Sequence, residues 1–154
     1  MNALSVDTPL GRLYLAEENG ALRASSFLCA PMGAQMRETP VLSDARAQIQ
    51  AYFAGERACF DMPVDPAGTA FERSVWQALR GIGFGQTRTY GEIAAALGKP
   101  GAARAVGRAC GKNPLLIVIP CHRVIGSGGK MTGFAAGIEI KRALLSLERA
   151  DIHA

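Results

Sequence analysis

The sequence predicts an α/β protein of the α+β kind. A small N-terminal α/β domain is expected over residues 1–62, and a mostly helical domain with a helix-turn-helix over residues 69–154. Three observations carry this. Residues 2–28 alternate as strands do and contain Asn19-Gly20, a hairpin signal. Residues 61–68, Asp-Met-Pro-Val-Asp-Pro-Ala-Gly, read as a linker, because proline and glycine disfavour regular structure. Two capping boxes follow, Thr69 with Glu72 and Thr89 with Glu92, and each opens a helix.

The elements follow in order. Leu10-Gly11 and Asn19-Gly20 mark turns between the first strands. Residues 30–39 contain Pro31 and Gly33 and read as loop. From Leu42 to Ala54, Ala45, Ile49 and Tyr52/Phe53 fall at helical spacing, and Gly55 is the stop. This half offers no constellation of catalytic groups and reads as scaffold. After Thr69, Phe71, Val75 and Leu79 form one apolar stripe with Trp76 beside it, broken by Gly81, Gly83 and Gly85. The second capping box starts a helix at Tyr90 that runs to Leu97, where Gly98 ends it and Pro100 prevents continuation. A further helix begins near Ala102 and runs to about Lys112. The pair reads as a helix-turn-helix, or more blandly as two packed helices. Ile117-Val118-Ile119 is apolar and β-branched, so a buried strand is expected there, ended by Pro120. Gly126-Ser127-Gly128-Gly129 is a turn, and Ile138 to Leu147 a last helix carrying Ile140, Leu144 and Leu147. Glu148 stands at its end, where the helix dipole disfavours an acid. Either a partner holds it there or it faces water.

At 154 residues the chain allows one ordinary domain or two small ones, and 49% apolar content suffices for a core. The net charge of +4 suits an anionic partner. No run of about 20 apolar residues exists, so no membrane span is expected, and no signal peptide is read at the start. Cys29, Cys59, Cys110 and Cys121 lie at wide, irregular spacing, which fits neither a disulfide framework nor a zinc site. The expectation is a cytoplasmic protein with free thiols and no metal.

Chemistry concentrates at Pro120-Cys121-His122-Arg123. A cysteine nucleophile needs a thiolate, supplied by a nearby base or cation. Neighbours in an extended segment point to opposite faces, so His122 reaches the Cys121 sulfur only if the backbone turns after Pro120, or through a water. The alternative is a buried structural cysteine beside a solvent-facing histidine. The helix from Ala102 carries small residues, Ala102, Ala103, Ala105, Gly107 and Ala109, with Arg104, Arg108 and Lys112 one turn apart. Small side chains allow close approach, and the row of cations can follow phosphates. Few groups on it could read base edges, which suits the minor groove and weak sequence dependence.

Ile-Pro-Cys-His-Arg-Val (Ile119 to Val124) resembles the active-site signature of the O6-alkylguanine-DNA alkyltransferases, the methylated-DNA–protein-cysteine methyltransferases. The likeness extends to Thr89–Ala94, Gly98–Pro100, Ala102–Gly107, Asn113-Pro114, Thr132–Gly137 and Lys141–Glu148, and covers roughly residues 69–148. It implies a ribonuclease H-like N-terminal domain and a winged-helix-like C-terminal one. It also implies irreversible, stoichiometric transfer of an alkyl group from O6-alkylguanine in double-stranded DNA to Cys121, with O4-alkylthymine as a second candidate substrate. The protein would act as a monomer, without a cofactor.

The resemblance carries roles onto matching positions. Cys121 is the acceptor, His122 a base acting through a water, and Glu148 orients the imidazole. Asn113 ties the recognition helix to the active-site segment, and Tyr90 helps push the nucleotide out. Arg104 fills the gap in the duplex, with Ala103, Ala105, Gly107, Arg108, Lys112 and Arg123 as further DNA contacts. Val124, Thr132, Phe134, Ala135, Ala136 and Gly137 form the base pocket, and the carbonyls of Cys121 and Val124 meet the exocyclic amine. This chain departs from the family at Phe134, where tyrosine is frequent, and at Ala135 and Ala136, where Ser or Gly is common. Arg108 and Lys112 are also larger than the residues usual there. Two other classes compete, a non-catalytic damage-binding or regulatory DNA-binding protein and a cysteine hydrolase. Presence of Cys121 counts against the first, and the helix-turn-helix against the second.

Overall fold

The computed structural model describes residues 1–131, 134 and 136–148. It divides into two compact units, residues 1–67 with 114–118, and residues 68–113 with 119–154. The sequence boundaries of 1–62 and 69–154 left 114–118 with the helical part, whereas these residues cluster with the strands.

The first unit is a four-stranded sheet in the order β3-β2-β1-β4 with one helix on it. Strands β1 (Asn2–Thr8) and β2 (Gly11–Glu18) pair antiparallel, with Leu4 opposite Leu15 and Val6 opposite Leu13. Those four side chains are buried. β3 (Ala21–Ser26) joins β2 through Asn19-Gly20, both at positive φ, as the hairpin signal requires. β4 (Gln35–Met36) pairs parallel to β1, inside a segment expected to be loop throughout. Helix α1 (Pro40–Phe53) packs on β1 and β2 through Leu42, Ala45, Ile49 and Tyr52. It starts two residues before the expected Leu42, because Thr39 caps the Leu42 N–H and Pro40 takes the first turn, where no donor is missed.

Residues 114–118 return to this unit. The Ser25 N–H donates to the Pro114 carbonyl, the Leu116 N–H to the Ser25 carbonyl, and Leu115 bridges parallel to Ser25. Here the expected strand over Ile117–Ile119 is corrected. Ile117 lies at φ +74° and, with Val118, forms a turn between single bridges. A β-branched residue in that region costs on the order of 1–2 kcal/mol. Ile117 is fully buried, and that burial outweighs the backbone cost.

The second unit is helical. α2 (Ala70–Leu79) and α3 (Tyr90–Ala96) both carry complete capping boxes, with Thr69 and Glu72 on one and Thr89 and Glu92 on the other. Gly98 stops α3 at φ +73°, and α4 (Ala103–Gly111) follows after a short turn, so α3 and α4 form the expected helix-turn-helix. β5 (Arg88–Thr89) and β6 (Val124–Ile125) make a two-residue parallel ladder. α5 (Ile138–Leu147) closes the described chain.

Trp76 fixes α2 to α4. Its ring is buried, and its Nε1–H donates to the Ala109 carbonyl at 2.8 Å. A Cβ added at Gly68 would stand 2.5 and 2.7 Å from two carbons of that ring, and the indole hydrogen bond opposes retreat. Gly68→Ala is therefore expected to cost about 1–3 kcal/mol. A denaturant midpoint equal to that of the native chain would show that Trp76 has room to move.

Candidate active site

Pro120 lies at φ −81°, ψ 63°, and turns the chain out of the bridge at Ile119 into a 3-10 turn over Cys121–Arg123. The Cys121 N–H donates to the Ile119 carbonyl and the Arg123 N–H to the Pro120 carbonyl. With three residues per turn, consecutive side chains no longer point to opposite faces. This is the backbone turn that a Cys121–His122 pair requires, and all three side chains of the turn are buried.

Each finds a partner in the same unit. His122 Nε2 lies 2.7 Å from Glu148 Oε2. Arg123 Nε and Nη2 donate to the two oxygens of Glu148 at 2.8 and 2.9 Å, and Nη1 donates to the Ile82 carbonyl at 2.7 Å. Asn113, just past α4, donates from Nδ2 to the Ile119 carbonyl at 2.8 Å and to Cys121 Sγ at 3.1 Å. Glu148 is buried at the C-terminal end of α5, so of the two readings of this acid the partnered one holds.

Burial pushes the Cys121 thiol up to about 11, while the Asn113 hydrogen bond and the Lys141 charge pull it back. The thiol is therefore protonated at neutral pH. Burial pushes the His122 pKa down, against the hydrogen bond and charge of Glu148; the Arg123 and Lys141 charges add to the lowering. With Nε2–H given to a carboxylate, the lone pair lies on Nδ1. That atom is buried and has no hydrogen-bond partner among the described residues. Such a set can hold a thiol, take its proton and disperse the resulting charge.

Beside this set stand the two helices of the helix-turn-helix, α3 and α4. Arg104, Arg108 and Lys112 are exposed on α4, with Ala103, Ala105 and Gly107 half-buried. Lys112 also reaches Glu72 at 3.6 Å. The Tyr90 ring packs where a Gly107 side chain would begin, 3.8 Å from its Cβ position.

Residues 70–150 match the 6-O-methylguanine DNA methyltransferase DNA binding domain, and residues 4–66 match the ribonuclease-like domain of the same family. The chain belongs to that family. A methylated-DNA–protein-cysteine methyltransferase of Methanosarcina acetivorans is 45% identical over 147 residues, covering 92% of this chain and 94% of that one. One from Mycolicibacterium paratuberculosis is 48% identical, covering 94% and 90%. The crystal structure of Mycobacterium tuberculosis OGT in complex with DNA superimposes with a TM-score of 0.91 at 46% identity, covering 97% of this chain and 93% of that one.

Arg123 is placed differently from its expected role as a DNA contact. It is 6% exposed, and its guanidinium is committed to Glu148 and Ile82. In the pocket segment, Val124 is buried, Phe134 and Ala136 are half-buried, and Gly137 is exposed at φ +99°, its N–H donating to the Phe134 carbonyl. Thr132 and Ala135 lie outside the described residues.

Two residues here were missed. Lys141 on α5 is fully buried, donates from Nζ to the Val124 carbonyl at 2.6 Å, and sits 5.9 Å from the Tyr90 ring centroid. The Val124 carbonyl, expected to meet a base amine, thus already accepts one donor. Burial pushes the Lys141 pKa down, and the Cys121 and Cys110 charges push it up. Cys110, on the inner face of α4, is buried, and its thiol is raised to about 12. A signal for Lys141 existed. Lys141, Leu144, Leu145 and Glu148 fall three, four and seven apart on one stripe, so both charged ends of that stripe had to point inward.

Proposed function

We propose that this protein repairs double-stranded DNA by drawing an O6-alkylguanine, or an O4-alkylthymine, out of the stack and moving its alkyl group to Cys121. The observation that carries this is a buried thiol hydrogen-bonded by Asn113, next in sequence to an imidazole fixed by Glu148. The Cys121 proton passes through a water to His122 Nδ1. The thiolate sulfur then attacks the alkyl carbon in line, the carbon–O6 bond breaks, and the departing guanine takes up a proton. A thioether remains, and no group in the site can cleave it. Each molecule therefore acts once, as a monomer without a cofactor.

The target atom is out of reach inside the duplex, so the nucleotide must be flipped. Tyr90 at the start of α3 pushes it out, and Arg104 on exposed α4 enters the gap. The small residues of α4 let it approach the floor of the minor groove, while Arg108 and Lys112 meet phosphates. Binding is then strongly salt-dependent and weakly sequence-dependent. Cytoplasmic location accords with free thiols. Among the described residues no helix is long and apolar enough to cross a membrane.

The test is peptide mass mapping after incubation with a duplex oligonucleotide containing O6-methylguanine. One added methylene on the peptide that holds Cys121 is the expected result. An unmodified Cys121 with unchanged DNA overturns the reading.

A further inference from the structure

We propose that Arg123 is a positioning residue of the alkyl transfer, whose planar fork aims Glu148 at His122 and keeps the imidazole neutral so that Nδ1 can take the thiol proton. This rests on the alkyl-transfer reading above and deepens it.

The need for such a residue follows from where Glu148 sits. A carboxylate at a helix C-terminus meets the negative end of the helix dipole, and here it is also removed from water. Alone it would be neutralised, either by its own proton or by one kept on His122. The guanidinium removes both routes. Its Nε takes Oε1 and its Nη2 takes Oε2, the two-point match that arginine gives and lysine does not. His122 Nε2 lies 2.7 Å from the same Oε2.

Arg123 is itself held on other sides. Nη1 is bonded to the Ile82 carbonyl, and the Phe84 ring lies 6.0 Å from the guanidinium carbon. Gly85, at φ +80°, comes so close that an added Cβ would be 3.3 Å from the Glu148 carbonyl oxygen. The segment from Ile82 to Gly85 therefore backs the fork rather than leaving it to swing. A structural ion pair at the surface would need none of this.

The charged groups that act on His122 are Lys141 on α5, Glu148 at its C-terminal cap, and Arg123 from its own turn. Glu148 favours the imidazolium; Arg123 and Lys141 oppose it. Removing Arg123 leaves the carboxylate matched by His122, which keeps its proton to higher pH. A protonated His122 cannot accept the thiol proton. The ascending limb of the pH–rate profile then moves toward alkaline pH.

The experiment uses the full chain, as native protein, Arg123→Ala and Arg123→Lys. Single-turnover transfer from O6-methylguanine duplex gives two separate numbers, the fraction of molecules that react and the rate constant of those that do. For Arg123→Ala the limb is expected to rise by about one pH unit, with a rate constant about tenfold lower on the acid side of the limb, where each pKa unit is a factor of ten in available base. Arg123→Lys restores the charge without the fork. Its limb is expected to return toward the native position while the rate constant stays low. The His122 ring proton, followed by NMR and assigned against His122→Asn, is expected to report the same pKa order with no DNA present. A reacting fraction that falls while rate constant, limb and His122 titration stay native would make Arg123 merely structural and overturn the proposal. If Arg123→Ala does not fold, the Arg123→Lys comparison decides in the same terms. Native protein that transfers nothing, with His122 titrating as stated, would overturn the alkyl-transfer reading and leave the placement of Arg123 standing.

Discussion

Replacing Cys121 with serine is expected to leave DNA binding in place and to end alkyl transfer. The substitution removes the sulfur that Asn113 holds, an atom soft enough to attack an alkyl carbon. Serine is close in size, so the 3-10 turn and the Asn113 contact survive, and nothing on α4 changes. What does not survive is the ionisation. The site brings the thiol to about 11 against burial, using one amide donor and one buried ammonium. A hydroxyl ionises far less readily than a thiol, and the same two groups cannot make up the difference. A loss of about 10⁶ in rate is the scale seen when an enzyme nucleophile is removed. Affinity for methylated duplex DNA measured by anisotropy should stay within about twofold of native, because phosphate contacts supply most of it. The same experiment discriminates among the thiols. Cys29 and Cys59 are exposed and open to any reagent, and Cys110 is buried with a thiol raised even further. Methyl label on any of these in the Cys121→Ser protein would sink the assignment.

Much of this arrangement was legible in the sequence where a local rule sufficed. Thr69 with Glu72 and Thr89 with Glu92 opened the helices they predicted, because a capping box involves residues three apart and little else. Asn19-Gly20 made its turn for the same reason. The errors arose where a distant partner decides. Ile117-Val118-Ile119 is apolar and β-branched, which identifies burial but not backbone path. Ile117 in fact turns at positive φ, while Ser25 takes the bonds of Pro114 and Leu116. Arg123 was read as a DNA contact, since its partner Glu148 lies 25 residues on and nothing local marks the pair. Only the α5 stripe, read as inward at both charged ends, would have joined Lys141, Glu148 and the Cys121 turn from sequence.

Asn113→Ala is the second large effect, and it separates chemistry from scaffold. One side-chain amide makes two bonds, to the Ile119 carbonyl and to Cys121 Sγ. The first spans the chain on either side of the bridge-and-turn run. Its loss leaves a buried carbonyl without that donor and is expected to cost about 1–3 kcal/mol of stability. The second favours the thiolate, and removing it lets burial carry the Cys121 pKa above about 11. Loss of one donor aimed at developing charge typically slows a reaction by about 10²–10³-fold. The alkaline behaviour follows in sign. A thiol whose folded pKa is raised keeps its proton in the native state while the unfolded chain has lost it. The associated stability is full below about pH 9 and drains away as pH climbs toward about 11. In Asn113→Ala the drain continues to higher pH. Rate constant, reacting fraction and melting temperature across that window test all three consequences on one protein. A native rate constant in molecules that react would show that the amide braces the turn without acting on the sulfur. A native alkaline profile would show that the Asn113 amide does not set the thiol.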